Sequence, residues 1–145
     1  MTTTPTIRRQ AGWTLLELVV ALAILALLAA IAYPSYKWSV TKGRRADAST
    51  ALLDLANRME QYYAANNTFA TATIAAGVTA TDVLTSNASQ QGYYTLWIYQ
   101  QATNTYTIEA RPTGAQAGDT LCNYFRLTSA GVKTVTGTLP SSRCW

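Results

Sequence analysis

The chain has 145 residues, of which 12% are charged and 49% hydrophobic, with a formal net charge of +4. That length allows one domain plus a membrane segment. Histidine is absent. This excludes Ser-His-Asp and Cys-His nucleophilic machinery and removes the usual general base near neutral pH. No phosphate loop or dinucleotide fingerprint occurs, so neither an enzyme nor a cofactor is expected.

Residues 1–12 are largely polar and carry Arg8 and Arg9 with no acid. Without those two arginines the balance is 9 basic to 7 acidic side chains, or +2, too small to argue for nucleic acid by itself. Trp13 to Ala32 is then apolar except for Thr14 and Glu17. As a helix this run reaches roughly 30 Å, the hydrocarbon thickness of a bilayer. The preceding Arg pair predicts a cytoplasmic N-terminus with the rest of the chain exported. A secretory signal would place its small-residue cleavage site after the apolar run. Here Gly12 precedes it, so a cut at Gly12 leaves the helix on the mature protein. Glu17 is a carboxylate near one end of an apolar span, where a charge is costly. It reads either as an acid stabilising a helix N-terminus or as one awaiting a positive partner.

Gly12-Trp13-Thr14-Leu15-Leu16-Glu17-Leu18-Val19-Val20 resembles the prepilin processing motif of type IV pilins and type II secretion pseudopilins. Tyr33-Pro34-Ser35-Tyr36 is similar to the proline-containing stretch that follows in such proteins. One departure is Trp13, where the family usually has Phe. The resemblance implies a prepilin peptidase that cuts between Gly12 and Trp13 and methylates the new Trp13 amine. It implies that Glu17 pairs with such an amine on a neighbouring subunit during assembly, and that the inner-membrane helix becomes the filament core. It divides the chain into a leader (1–12), a transmembrane and filament-core helix (13–36) and a globular pilin domain (37–145).

Pro34 is expected to break or kink the helix. Beyond it, Ala48, Leu52, Leu55, Met59 and Tyr62 recur at steps of four and three, so the helix resumes as an amphipathic element to about Ala65. Residues 66–92, rich in Ala, Thr, Asn and Ser, read as an extended loop with a short helical turn near Thr81 to Leu84. From Tyr93 the period becomes two. Strands are expected at Tyr93–Tyr99, Thr105–Ala110, Leu121–Leu127 and Val132–Val135, the first two joined as a hairpin. A long helix followed by about four antiparallel strands is an α+β pilin fold.

Cys122 and Cys144, an even count behind a membrane-targeting segment, read as a disulfide in an oxidising compartment, against two buried thiols. Such a bond closes a loop of about twenty residues, a constraint of about 3 kcal/mol. With no histidine, two cysteines do not suffice for a zinc site. The cysteine pair resembles the disulfide-bounded region of type IV pilins, and the closing sequence resembles minor pilins of the PilE type.

The resulting expectation is a minor pilin of a type IV pilus in a Gram-negative bacterium, serving adhesion, twitching motility or DNA uptake. Its partners would be other major and minor pilins, the prepilin peptidase, the assembly machinery and the inner membrane. Two alternatives share the same N-terminus. One is a DNA-binding minor pilin using Arg111, Arg126, Lys133 and Arg143 beside Tyr124, Phe125 and Trp145. The other is a secretion pseudopilin, for which calcium ligands late in the chain reduce to Glu109 and Asp119.

Overall fold

The computed structural model describes Gly12 and residues 14–145. Trp13 and the leader up to Ala11 lie outside the described residues. The chain divides into two compact units, Met1–Trp38 and Ser39–Trp145. In chain order the elements are α1 (Leu15–Asn66), β1 (Thr73–Ile74), β2 (Asp82–Leu84), β3 (Tyr94–Gln101), β4 (Tyr106–Pro112), β5 (Phe125–Thr128), β6 (Lys133–Val135) and α2 (Ser141–Cys144). A short 3-10 turn spans Gly114–Gln116.

Within the first unit α1 is long and apolar enough to cross a membrane. Its start is a capping box: the Glu17 amide donates to Thr14 Oγ1 at 3.2 Å, and the Thr14 amide reaches back to Glu17 Oε2 at 3.5 Å. Pro34 lies inside α1 without breaking it. It removes the amide that would bond the Ala30 carbonyl. One residue on, the Ser35 hydroxyl donates to the Ile31 carbonyl at 3.3 Å.

In the second unit, β3, β4, β5 and β6 form one antiparallel sheet in that order. α1 packs Ala48, Leu52, Leu55 and Met59 against Tyr94, Leu96, Ile108, Ala110, Phe125 and Leu127, all buried. Alternation along each strand supplies that face. Phe69 stacks on Tyr63 (centroids 4.6 Å) and meets Tyr106 edge-on (4.8 Å), closing the end of the core.

Charged side chains on α1 hold the loops. Arg45 makes a bidentate pair with Asp119, Nε to Oδ2 at 2.7 Å and Nη2 to Oδ1 at 2.8 Å, with both side chains buried. Asp119 also accepts from Gln116 Nε2 at 3.1 Å. Asp47 accepts from the Ser89 hydroxyl at 2.6 Å and from the Gln91 amide at 3.2 Å. A buried pair of this kind is strongly destabilising to break from one side, because it strands the other charge.

Three segments differ from the sequence expectation. Residues 66–92 hold a small parallel sheet of β1 and β2, and a strand at Asp82–Leu84 takes the place of the helical turn expected near Thr81 to Leu84. The cause is Asp82, whose carboxylate accepts from the Thr73 hydroxyl (2.6 Å) and the Ala76, Gly77 and Val78 amides (3.0, 2.8 and 3.0 Å). The Thr73 bond first, then the Ala76 amide, holds that carboxyl below the usual carboxylate range. The third strand begins at Phe125, not Leu121, because Asn123 takes φ +53° and interrupts the extended backbone. Leu121 and Cys122 accept instead from the Leu139 and Gly137 amides, at 2.9 and 3.0 Å. Only glycine fits at Gly137, since a Cβ there would meet the Leu121 carbonyl. The C-terminal tail contains α2, which the disulfide Cys122–Cys144 fixes with a Cα–Cα distance of 5.8 Å. Trp145 then donates Nε1–H to the Thr134 carbonyl at 3.2 Å and packs edge-on against Phe125.

Burial pushes Tyr94 up to about 12. Burial, reinforced by the Glu60 carboxylate, does the same for Tyr106. Unfolded tyrosine ionises near about 10. Each ring therefore contributes stability that is fully present below about pH 10 and is lost as pH rises toward about 12. Urea midpoints should fall across that window, and Tyr94→Phe should flatten the fall. An identical slope in the variant would contradict this assignment.

Candidate functional site

The face of the sheet turned away from α1 collects side chains of the opposite parity. Trp97 on β3 is in register with Glu109 on β4, and Glu109 with Arg126 on β5. Two residues along β4 from Glu109 lies Arg111. Arg111 Nε contacts Glu109 Oε1 at 2.5 Å, and Arg126 Nε contacts Glu109 Oε2 at 2.5 Å. One carboxylate thus serves two guanidiniums.

Glu109 is fully buried although it lies off the main core. A buried carboxylate is tolerable only when paired, and the two arginines supply the pairing. Aromatic rings complete the arrangement. Arg111 lies over Trp97 (4.8 Å to the centroid) and over Tyr124 (5.4 Å). Arg126 lies over Tyr99 at 4.1 Å. These are cation–π distances. The rings remain open to solvent, Trp97 at 46% and Tyr99 at 45%, and the Arg111 side chain at 40%. Two guanidiniums against one carboxylate leave the cluster with one net positive charge. Among the described residues the terminal nitrogens of both guanidiniums have no hydrogen-bond acceptor in the protein. A groove of about 420 Å³ adjoins it, lined by Trp97, Tyr99 and Gln100 of β3 and by Thr73 and Ile74 of β1.

The candidate residues from the sequence do not all meet. Arg111 and Arg126 share this face, with Tyr124 beside them. Lys133 stands on β6 with its Nζ 5.1 Å over the Trp145 ring. Arg143 is exposed on α2. Phe125 is core. Nothing in the sequence marks Trp97 or Tyr99 as a site residue, and Glu109 enters there only as a calcium-type carboxylate; the period-two pattern puts the three on one parity, but only strand register shows that they adjoin. At the other end of the chain Gly12 is exposed, and Glu17 sits in the first turn of α1.

Residues 34–126 match the family described as type IV minor pilin ComP, DNA uptake sequence receptor. The chain belongs to this family. Residues 7–33 match the prokaryotic N-terminal methylation motif. The fimbrial protein EcpC of Eikenella corrodens is 33% identical over 72 residues, 50% of this chain and 47% of that protein. The match therefore spans about half the length of that relative. The non-core minor pilin PilV of Neisseria meningitidis shares the fold, with a TM-score of 0.53 and 23% identity over 68% of this chain and 89% of that one. A type IV minor pilin assembles with other pilins, its apolar N-terminal helix anchored in a membrane beforehand. Family and fold are those of a structural subunit.

Glu109→Gln leaves one amide oxygen for two guanidiniums. The expected loss is about 1–3 kcal/mol of stability, with a change in Trp97 fluorescence as Arg111 leaves its ring. Unchanged denaturation and emission would show that the carboxylate does not hold the pair.

Proposed function

We propose that this chain is a minor pilin cut between Gly12 and Trp13, methylated on the new Trp13 amine, and drawn from the inner membrane into a pilus by α1. One observation carries the reading: the first half of α1 is apolar and uncovered all round. Leu15, Leu22, Leu27 and Ile31 are 57–81% exposed. Such a surface does not persist in water. Lipid covers it before assembly, and neighbouring helices cover it afterwards. In this reading residues 13–36 are the segment that changes surroundings and 37–145 the domain displayed on the filament. Pro34 sits near the junction, as the kink of the assembled helix.

Glu17 is suited to recruit a neighbour. Its carboxylate is exposed and, among the described residues, held by long contacts to Thr14, of 3.4 and 3.5 Å. A methylated amine on an adjoining subunit would make a shorter, charge-assisted bond. The intramolecular bond Cys122–Cys144 supports a pilus over a pseudopilus on the resemblance described above. Gly12→Leu should retain the leader, and Glu17→Ala should be processed yet absent from sheared filaments. Both variants entering filaments at the normal level would contradict the reading.

The outer sheet face favours a second activity, DNA contact through Arg111 and Arg126 with Trp97 and Tyr99. Guanidiniums contact phosphate or base edges, and half-exposed rings stack on bases. Lys133 and Arg143 lie outside the cluster and should matter less. A fragment beginning at Ser39 should retard DNA in a gel at low salt, and less at high salt. Arg111→Ala with Arg126→Ala should weaken the shift at low salt and reduce the salt slope by about 2. No retardation of the unmodified fragment at low salt would end this reading.

A further inference from the structure

The apolar part of α1 ends in a group of exposed aromatic residues. Tyr33, Tyr36 and Trp38 are 62%, 68% and 53% exposed. Lys37 places its Nζ 5.3 Å from the Tyr33 ring centroid. At about 100° per residue, Tyr36 lies about 300° and Trp38 about 140° around the helix from Tyr33. Tyr33 and Tyr36 are therefore within about 60° of each other and Trp38 lies on the far side, so aromatic rings flank α1 on both sides instead of forming one stripe. A protein partner would cover one side of the helix. A collar suits a medium that meets the helix from every direction.

The spacing agrees with that medium being a bilayer. Thr14 to Ala32 rises about 28 Å at 1.5 Å per residue, against a hydrocarbon thickness of about 30 Å. The collar follows at once. Tyrosine and tryptophan rings prefer the headgroup level, where the apolar body is buried and the polar edge is wet. A lysine beside them extends its stem along apolar surface and leaves its ammonium at the phosphates. Pro34, within the collar, leaves the Ala30 carbonyl without its helical donor. That omission costs least close to the interface, where water reaches the backbone.

We infer that Tyr33, Tyr36, Lys37 and Trp38 form an interfacial collar that binds the phospholipid headgroup zone of the outer leaflet and sets the depth of α1 before assembly. The inference rests on the inner-membrane reading proposed above. Its consequence is positional. Glu17 lies about 24 Å along the helix from Tyr33, so the collar holds the carboxylate toward the opposite interface, away from the bilayer centre.

The test uses the full chain reconstituted in vesicles of phosphatidylethanolamine and phosphatidylglycerol. A variant with Trp13, Trp97 and Trp145 changed to Phe leaves Trp38 as the reporter. Difference spectra of the unmodified chain against Trp38→Phe give the same readout if that variant folds poorly. Lipids brominated near the headgroup should quench Trp38 severalfold more than lipids brominated near the chain ends, and aqueous acrylamide should quench it weakly. Tyr33→Ser with Tyr36→Ser should weaken the preference for shallow bromines. Flotation with the vesicles while Trp38 is quenched by acrylamide and by neither bromine would overturn the collar alone. So would an unchanged depth profile in the serine variant. Protein that does not float with vesicles would overturn the membrane reading and the collar together.

Discussion

A single helix in this chain must satisfy two different surroundings. Up to Ala32 its side chains are apolar on every side, apart from Thr14 and Glu17 at its start. From Ala48 onward one face is apolar and the rest is polar. Neither pattern works in the other's place. A helix that is apolar all round has no soluble state of its own, and an amphipathic one has no place inside a bilayer. The unit after Trp38 exists to give the second half a sheet to lie on. The methylation motif over residues 7–33 and the apolar first half fit a helix anchored in a membrane before assembly.

What unites the second unit is a set of charges brought inside. Arg45 and Asp47 project from α1 into the loops, and each is matched by a buried polar partner, Asp119 or Ser89. These bonds tie residues 87–93 and 114–122 to the helix at the one end of the sheet where β3 begins opposite the end of β4. The disulfide adds a second, covalent constraint on the same region, since Cys122 accompanies Asp119 in one short turn. On the far face Glu109 plays a similar part with opposite geometry: one acid gathers two arginines, and each arginine covers aromatic rings. The ordering of that face precedes any ligand, which lowers the entropic penalty of binding one.

Much of the architecture was legible in the residues. The helix, its change of character and the strands from Tyr94 onward follow from hydrophobic period alone. The N-terminal methylation motif was legible because Gly12, Glu17 and the apolar run occur in a fixed order. Less was legible where side chains bond to backbone. The β1–β2 pair depends on Asp82 and not on any hydrophobic alternation, so residues 66–92 carry no period to read. Asn123 shortens β5 through one positive φ that composition does not announce. The outer face was half legible. Arg111 and Arg126 were identifiable as basic residues on strands. Their convergence on Glu109 depends on the β4–β5 register, which sets Arg126 opposite Glu109.

The central claim is that α1 is retained after a cut at Gly12 and carries the chain into a filament. An intact mass of this protein recovered from purified pili tests it most directly. The account predicts a species beginning at Trp13, heavier by one methyl group and lighter by the two hydrogens lost in the Cys122–Cys144 bond. A species that retains the leader, or one that has lost the helix with it, would contradict the account.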